Sequence, residues 1–202
     1  MRLRYPKYIL VAALICVSIQ ASYGSFQSSF ATLTTRSGTT WYDLNANTAN
    51  TDFNNTNLGS FDISNQLLLG GQLNVTGGNV EFARIGWAVR NIDTDTLVNS
   101  FALVDGAFQE VDNGNDRWVI PNDSNPNVLS GITVGGNYLL EVYLHGKYNG
   151  GGEFFESNSN ENYVATFTAI PEANSYALLF GFIGVTVVAL RKYRRHNNTQ
   201  AN

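Results

Sequence analysis

The chain has 202 residues, of which 44% are hydrophobic and 14% charged, with one cysteine and two histidines. A single cysteine excludes a disulfide framework and a zinc centre built from several thiolates. A formal charge of −4 argues against the basic surface that nucleic-acid binding needs to displace counterions.

Residues 1–24 read as a secretory signal peptide. Arg2, Arg4 and Lys7 form a basic start, residues 8–19 an apolar stretch too short to be a good membrane span, and Ser22 and Gly24 supply the small residues that signal peptidase reads. Cleavage is expected after Gly24, leaving Ser25 as the new terminus, with Ala21 as the second choice. Cys16 lies inside the apolar stretch, where Ile15 occupies the position at which a lipoprotein signal needs a small residue. It reads as apolar filler, so the exported protein carries no thiol.

Residues 25–169 are enough for one domain with its own core. They hold fifteen acidic and five basic residues, a net charge of −10, because the other basic residues sit in the two ends of the chain. Such a domain stays soluble among polyanions and suits cations better than nucleic acid. Its hydrophobic pattern is that of strands. Leu140, Val142 and Leu144 alternate with Glu141, Tyr143, His145 and Lys147, and Ala83, Ile85, Trp87 and Val89 alternate with Phe82, Gly86 and Ala88. Turn formers separate these runs, at Gly70-Gly71, Gly77-Gly78-Asn79, Asn113-Gly114-Asn115, Gly135-Gly136-Asn137 and Gly150-Gly151-Gly152. The expected fold is all-β, an antiparallel sandwich of jelly-roll-like form with about eight to ten short strands.

Catalytic signals are sparse. His145 is the only histidine of the domain, no serine sits in a Gly-x-Ser-x-Gly elbow, and His145 is expected on the surface. Glycoside hydrolysis needs two carboxyl groups facing each other across a cleft. The spacing of Glu81, Glu141, Glu153, Glu156 and Glu161 singles out no such pair, so the domain reads as non-enzymatic. No cofactor is implied. Calcium is a minority alternative, because Asp112, Asn113 and Asp116 place oxygen ligands on one turn; the same residues are ordinary turn formers. Among the aromatic residues, Tyr143 is on the polar side of its strand, and Trp41 and Trp118 lie in or beside strands, making these three the candidates for stacking on sugar rings. Trp87 shares a side with Ile85 and Val89 and reads as core.

The last stretch is the most specific. An uncharged run from Ala173 to Leu190, about 18 residues, would span roughly 27 Å as a helix, close to the ~30 Å core of a bilayer. A transmembrane helix is placed at residues 175–190. The basic cluster Arg191, Lys192, Arg194 and Arg195 follows directly, which keeps that flank and the tail 197–202 in the cytoplasm and the β-domain outside.

Pro171-Glu172, a polar spacer, an apolar segment opening on Tyr176 and the closing basic cluster resemble the C-terminal sorting signal of PEP-CTERM proteins, over residues 170–196. Pro171-Glu172-Ala173 departs from the usual Pro-Glu-Pro. The resemblance implies a Gram-negative bacterium that makes exopolysaccharide, and recognition by the membrane transpeptidase exosortase, with this chain as its substrate. The expected protein is therefore exported through the secretion translocon, trimmed by signal peptidase, anchored in the membrane and then passed to the cell surface or matrix. It would be a structural or adhesive component associated with exopolysaccharide. A carbohydrate-binding module is the alternative, and a small glycoside-active enzyme the least favoured.

Overall fold

The structure, a computed structural model, describes residues 25–45, 49–77, 79–112, 114–121, 125–157 and 161–172, together with 183, 185–188, 190 and 191. Among the described residues there are twelve strands: β1 (Phe26–Thr35), β2 (Gly38–Asp43), β3 (Thr51–Asp52), β4 (Thr56–Asp62), β5 (Leu68–Thr76), β6 (Val80–Asn91), β7 (Thr96–Asp105), β8 (Ala107–Asp112), β9 (Asn115–Val119), β10 (Asn137–Tyr148), β11 (Glu153–Glu156) and β12 (Tyr163–Ile170). They form two sheets. Sheet A has the order β3-β2-β1-β5-β9-β8; sheet B has the order β4-β12-β10-β6-β7, with β11 also on β10. Strands β12 and β11 share one edge of β10, the first pairing with residues 137–142 and the second with residues 144–147.

The all-β expectation holds, with two corrections. The sheets are mixed rather than wholly antiparallel, since β2 pairs with β3 and β4 with β12 in parallel. The described residues form twelve strands and not eight to ten, and the Asn- and Thr-rich stretch 49–57 contains β3 and the start of β4. Phe53, between them, is completely buried and anchors that stretch edge-on against Tyr42, with ring centroids 6.0 Å apart.

Alternation puts one side of each central strand into a single core shared by both sheets. Leu140, Val142 and Leu144 of β10, Ile85, Trp87 and Val89 of β6, and Tyr163, Ala165, Phe167 and Ala169 of β12 face Ala31 and Leu33 of β1 and Leu69, Leu73 and Val75 of β5. The two sheets come into close contact at Gly71. A Cβ there would lie 2.4 Å from Ile85 Cδ1 and 2.6 Å from the Phe30 carbonyl oxygen, so only glycine lets Ile85 rest on β5.

The chain crosses from sheet A to sheet B at the turn between β5 and β6, where Gly77 and Asn79 take positive φ. Buried Asp116 fixes this corner by accepting a hydrogen bond from Val80 N at 3.1 Å, and the Tyr148 hydroxyl donates to Thr76 O at 2.7 Å. Ser25 N donates to Thr76 Oγ1 at 3.2 Å, which ties the start of the described chain to the same corner.

Several buried tyrosines make the fold sensitive to alkali. Burial, then the negative charges of Glu156 and Asp52, push the Tyr163 hydroxyl up to about 12, and burial raises Tyr42 and Tyr148 as well. A tyrosine pKa raised by folding favours the native state fully below the unfolded value of about 10, and the advantage disappears as pH climbs through the folded value. The Tyr163 contribution should therefore be constant below pH ~10 and fall by about 2–3 kcal/mol between pH ~10 and ~12. Urea midpoints across that range check this: the fall should be smaller in the Tyr163→Phe variant, with Tyr42 and Tyr148 leaving a remainder.

Candidate ligand-binding face

The outer side of sheet B carries the polar residues of β10, but it is not a polar surface. Register places Phe155, His145, Arg84 and Asp105 in one row across β11, β10, β6 and β7, and Tyr143, Gly86 and Leu103 in the next. Phe155 lies flat on His145, with ring centroids 4.4 Å apart and planes 8° from parallel. Phe82 meets the same imidazole edge-on at 5.0 Å. Arg84 stacks over Phe82 at 3.9 Å and pairs with Asp105.

His145 is consequently buried, 7% exposed, which corrects the expectation of a surface histidine. Its Nε2 is 3.3 Å from Glu153 Oε2, within ion-pair distance but off the hydrogen-bond axis. The ring acts as a shelf. It holds Phe155 parallel to the sheet while that phenyl remains 61% exposed on its other side.

Tyr143 also lies down. A Cβ on Gly86 would fall 2.1 Å from its ring, so the tyrosine leans across β6 over a residue with no side chain. There it meets Phe101 of β7, with ring centroids 6.0 Å apart. Phe101 is brought in by an irregular edge, because the β6–β7 register shifts twice between Trp87 and Arg90. Bulges of this kind re-aim side chains. Phe101, Tyr143 and Phe155, with Glu156, Ser157 and Asn162, line an open trough of about 460 Å³.

The acidic residue behind the trough is committed to structure. Buried Glu141 accepts hydrogen bonds from Arg90 Nε at 3.1 Å and from Asn162 Nδ2 at 3.0 Å. Those contacts, the Glu141 hydrogen bond first and Asp95 after it, raise the Arg90 pKa further. A carboxylate held by two donors orients the Asn162 amide.

Of the candidate residues read from the sequence, only Tyr143 belongs to this face. Trp41 is 43% exposed but lies on sheet A, edge-on to Phe30 at 5.9 Å. Trp118 is 8% exposed, stands opposite Leu73 in the core and meets Phe108 at 5.5 Å. Its buried indole presents no surface on which a sugar could stack, contrary to the expectation from the sequence. Trp87 is core, as expected.

Among the calcium candidates, Asp116 holds the β5–β6 corner, while Asn113 and the Asp112 side chain lie outside the described residues. Among the described residues no three His, Cys, Asp or Glu side chains gather into a metal-binding group. Pro171 and Glu172 follow directly on β12, and Arg191 is helical. Gly24, Ala173, Lys192, Arg194 and Arg195, the signal peptide and most of the expected span 175–190 lie outside the described residues. Among those described, no helix is long and apolar enough to cross a membrane.

Phe101 and Phe155 escaped the sequence reading because each lies on an edge strand, β7 or β11, that the alternating runs did not include, whereas Phe82 was read on the outer side of β6 without its contact to His145. The turn at residues 150–152 was the available signal for Phe155: it returns β11 to the edge of β10 and sets Phe155 opposite His145. No protein-family model matches the chain, and no curated protein matches it.

Proposed function

We propose that this chain is an exported bacterial surface protein, an exosortase substrate whose β-domain serves as a structural or adhesive component of an exopolysaccharide matrix, with no catalytic role. The observation that carries the reading is the character of the helical residues before Arg191. Ile183, Val185, Val187, Val188 and Leu190 are all exposed, as suits a segment whose partner is lipid and not the β-domain core. Support also comes from the placement of Pro171-Glu172 directly after Ile170, the last residue of β12, where a processing bond would lie clear of the sheet. In this reading the domain is a jelly-roll-like sandwich, a view supported by the repeated crossing of the chain between its sheets.

The test is the intact mass and location of the protein in its native cells with and without the exosortase. A released form starting near Ser25 and ending near Pro171 or Glu172, absent from the mutant, is expected. A form that keeps Arg191 and Lys192 in both strains would make the protein a permanent single-span anchor and sink the sorting reading.

A second reading, carbohydrate binding, is favoured by one observation, the exposed rings of Phe101 and Phe155 on either side of the recumbent Tyr143.

A further inference from the structure

We propose that the trough bounded by Phe101, Tyr143 and Phe155 is a glycan-binding site, and that it selects saccharides without anionic groups. The proposal rests on the second reading above, that the domain binds carbohydrate, and adds both the site and the class of sugar.

The ring geometry is the first argument. A pyranose offers one or both faces as a patch of C–H groups with partial positive charge, which suits the negative face of an aromatic ring. Such a contact needs a ring parallel to the protein surface with its outer face open. Phe155 meets that requirement because His145 backs it in parallel at 4.4 Å. Tyr143 meets it because Gly86 leaves room beneath it. Phe101 closes the side toward β7. Neither support costs much ordering entropy on binding, since the His145 shelf and the Gly86 seat exist before any ligand arrives. Ser157 and Asn162 place polar groups at the rim, with the Asn162 amide already oriented by Glu141. The trough volume falls in the roughly 300–1,000 Å³ range of small-molecule sites.

Charge supplies the selectivity. Each basic side chain on this side of sheet B is engaged by a carboxylate: Arg84 by Asp105, Lys147 by Glu81 at 2.7 Å, and Arg90 by Glu141 and Asp95 at 3.1 Å each. Among the described residues, a uronic acid or sulfated sugar would find on this side only cations already paired with carboxylates. It would instead approach Glu156 in the lining and Glu153 beside Phe155, on a domain with fifteen acids and five bases. Like-charge juxtaposition of that kind repels a ligand. A neutral glycan has no such penalty.

The full-length chain, kept in a detergent without a sugar head group, should be run on native gels containing a neutral glucan (laminarin, dextran or hydroxyethylcellulose) or the polyuronate alginate. Retardation in at least one neutral glucan and none in alginate is expected. The Phe155→Ala and Tyr143→Ala variants should each weaken retardation roughly 2- to 10-fold. Phe155 is largely exposed, so its removal should leave the melting temperature near that of the parent chain and make its loss of binding interpretable. Retardation in alginate alone would overturn the selectivity while leaving the carbohydrate reading standing. Retardation in a neutral glucan that survives both variants would place the site elsewhere and overturn the trough. No retardation in any of the polymers would overturn the site and the second reading together.

Discussion

Replacing Phe167 with alanine should destabilise the domain by about 3–5 kcal/mol, the range for emptying a large aromatic site in a core, and we expect the upper half of it. The reason is how little the surroundings can move. Phe167 is fully enclosed in β12, an inner strand held by β10 on one side and β4 on the other. Its ring stacks on Tyr138 with centroids 5.4 Å apart and planes 24° from parallel, and meets Phe61 edge-on at 6.0 Å. Tyr138 is the neighbour best placed to fill the hole, yet its hydroxyl is pinned. It donates to Thr133 O at 2.9 Å and accepts from Thr133 N at 3.1 Å. A ring held at its far end cannot swing inward without breaking both bonds, so the cavity stays open and the full cost remains. The midpoint of urea unfolding reads this directly, and the melting temperature should drop by roughly 10–20 °C. Phe167→Leu, which refills most of the volume, should recover most of the loss. An alanine variant within about 1 kcal/mol of the parent would show that β4 or β10 relaxes onto β12 and that the Thr133 tether is not holding.

The core of this fold was legible in the sequence because alternation is a strong signal wherever a strand is long and central. In β10 and β6 the apolar side read from the sequence is the side that meets sheet A, and Trp87 belongs to it. What alternation cannot tell is what lies over the other side. His145 and Glu141 were correctly placed opposite Leu144 and Leu140, and both are nonetheless buried: one under Phe155 and Phe82, the other beneath Arg90 and Asn162. Their cover comes from β11, β6 and the approach to β12, whose positions depend on turns and register and not on the pattern within β10. The same limit applies to Trp118. Strand β9 is five residues long and half polar, so its inward side could be known only from its pairing with Leu73 of β5. The parallel pairings of β3 with β2 and of β4 with β12 were illegible for a related reason: a two-residue strand and a Gly-containing edge carry no period to read.

Gly86→Ala should be the most damaging small substitution on the outer face, costing about 1–3 kcal/mol as overpacking does elsewhere, and it should act through Tyr143 alone. The added methyl would stand 2.1 and 2.2 Å from two ring carbons and 2.7 Å from the hydroxyl oxygen, distances that no small adjustment of a flat-lying ring relieves. The backbone cannot yield either, because Gly86 is paired on both sides, to Tyr143 of β10 and Leu103 of β7. The tyrosine must therefore rotate off the sheet, away from Phe101, and the trough loses its floor. Two measurements separate this account from a general weakening of β6. In a double-mutant cycle the penalty of Gly86→Ala should shrink to a few tenths of a kcal/mol in the Tyr143→Ala background, where the methyl has open space. An undiminished penalty there would mean that the strand itself, not the ring above it, rejects the side chain. The second is retardation in a neutral glucan, which should fall in Gly86→Ala about as far as in Tyr143→Ala although the tyrosine is still present. Retained binding would mean that the sugar does not need a recumbent Tyr143, and that Phe155 on its histidine shelf is the platform by itself.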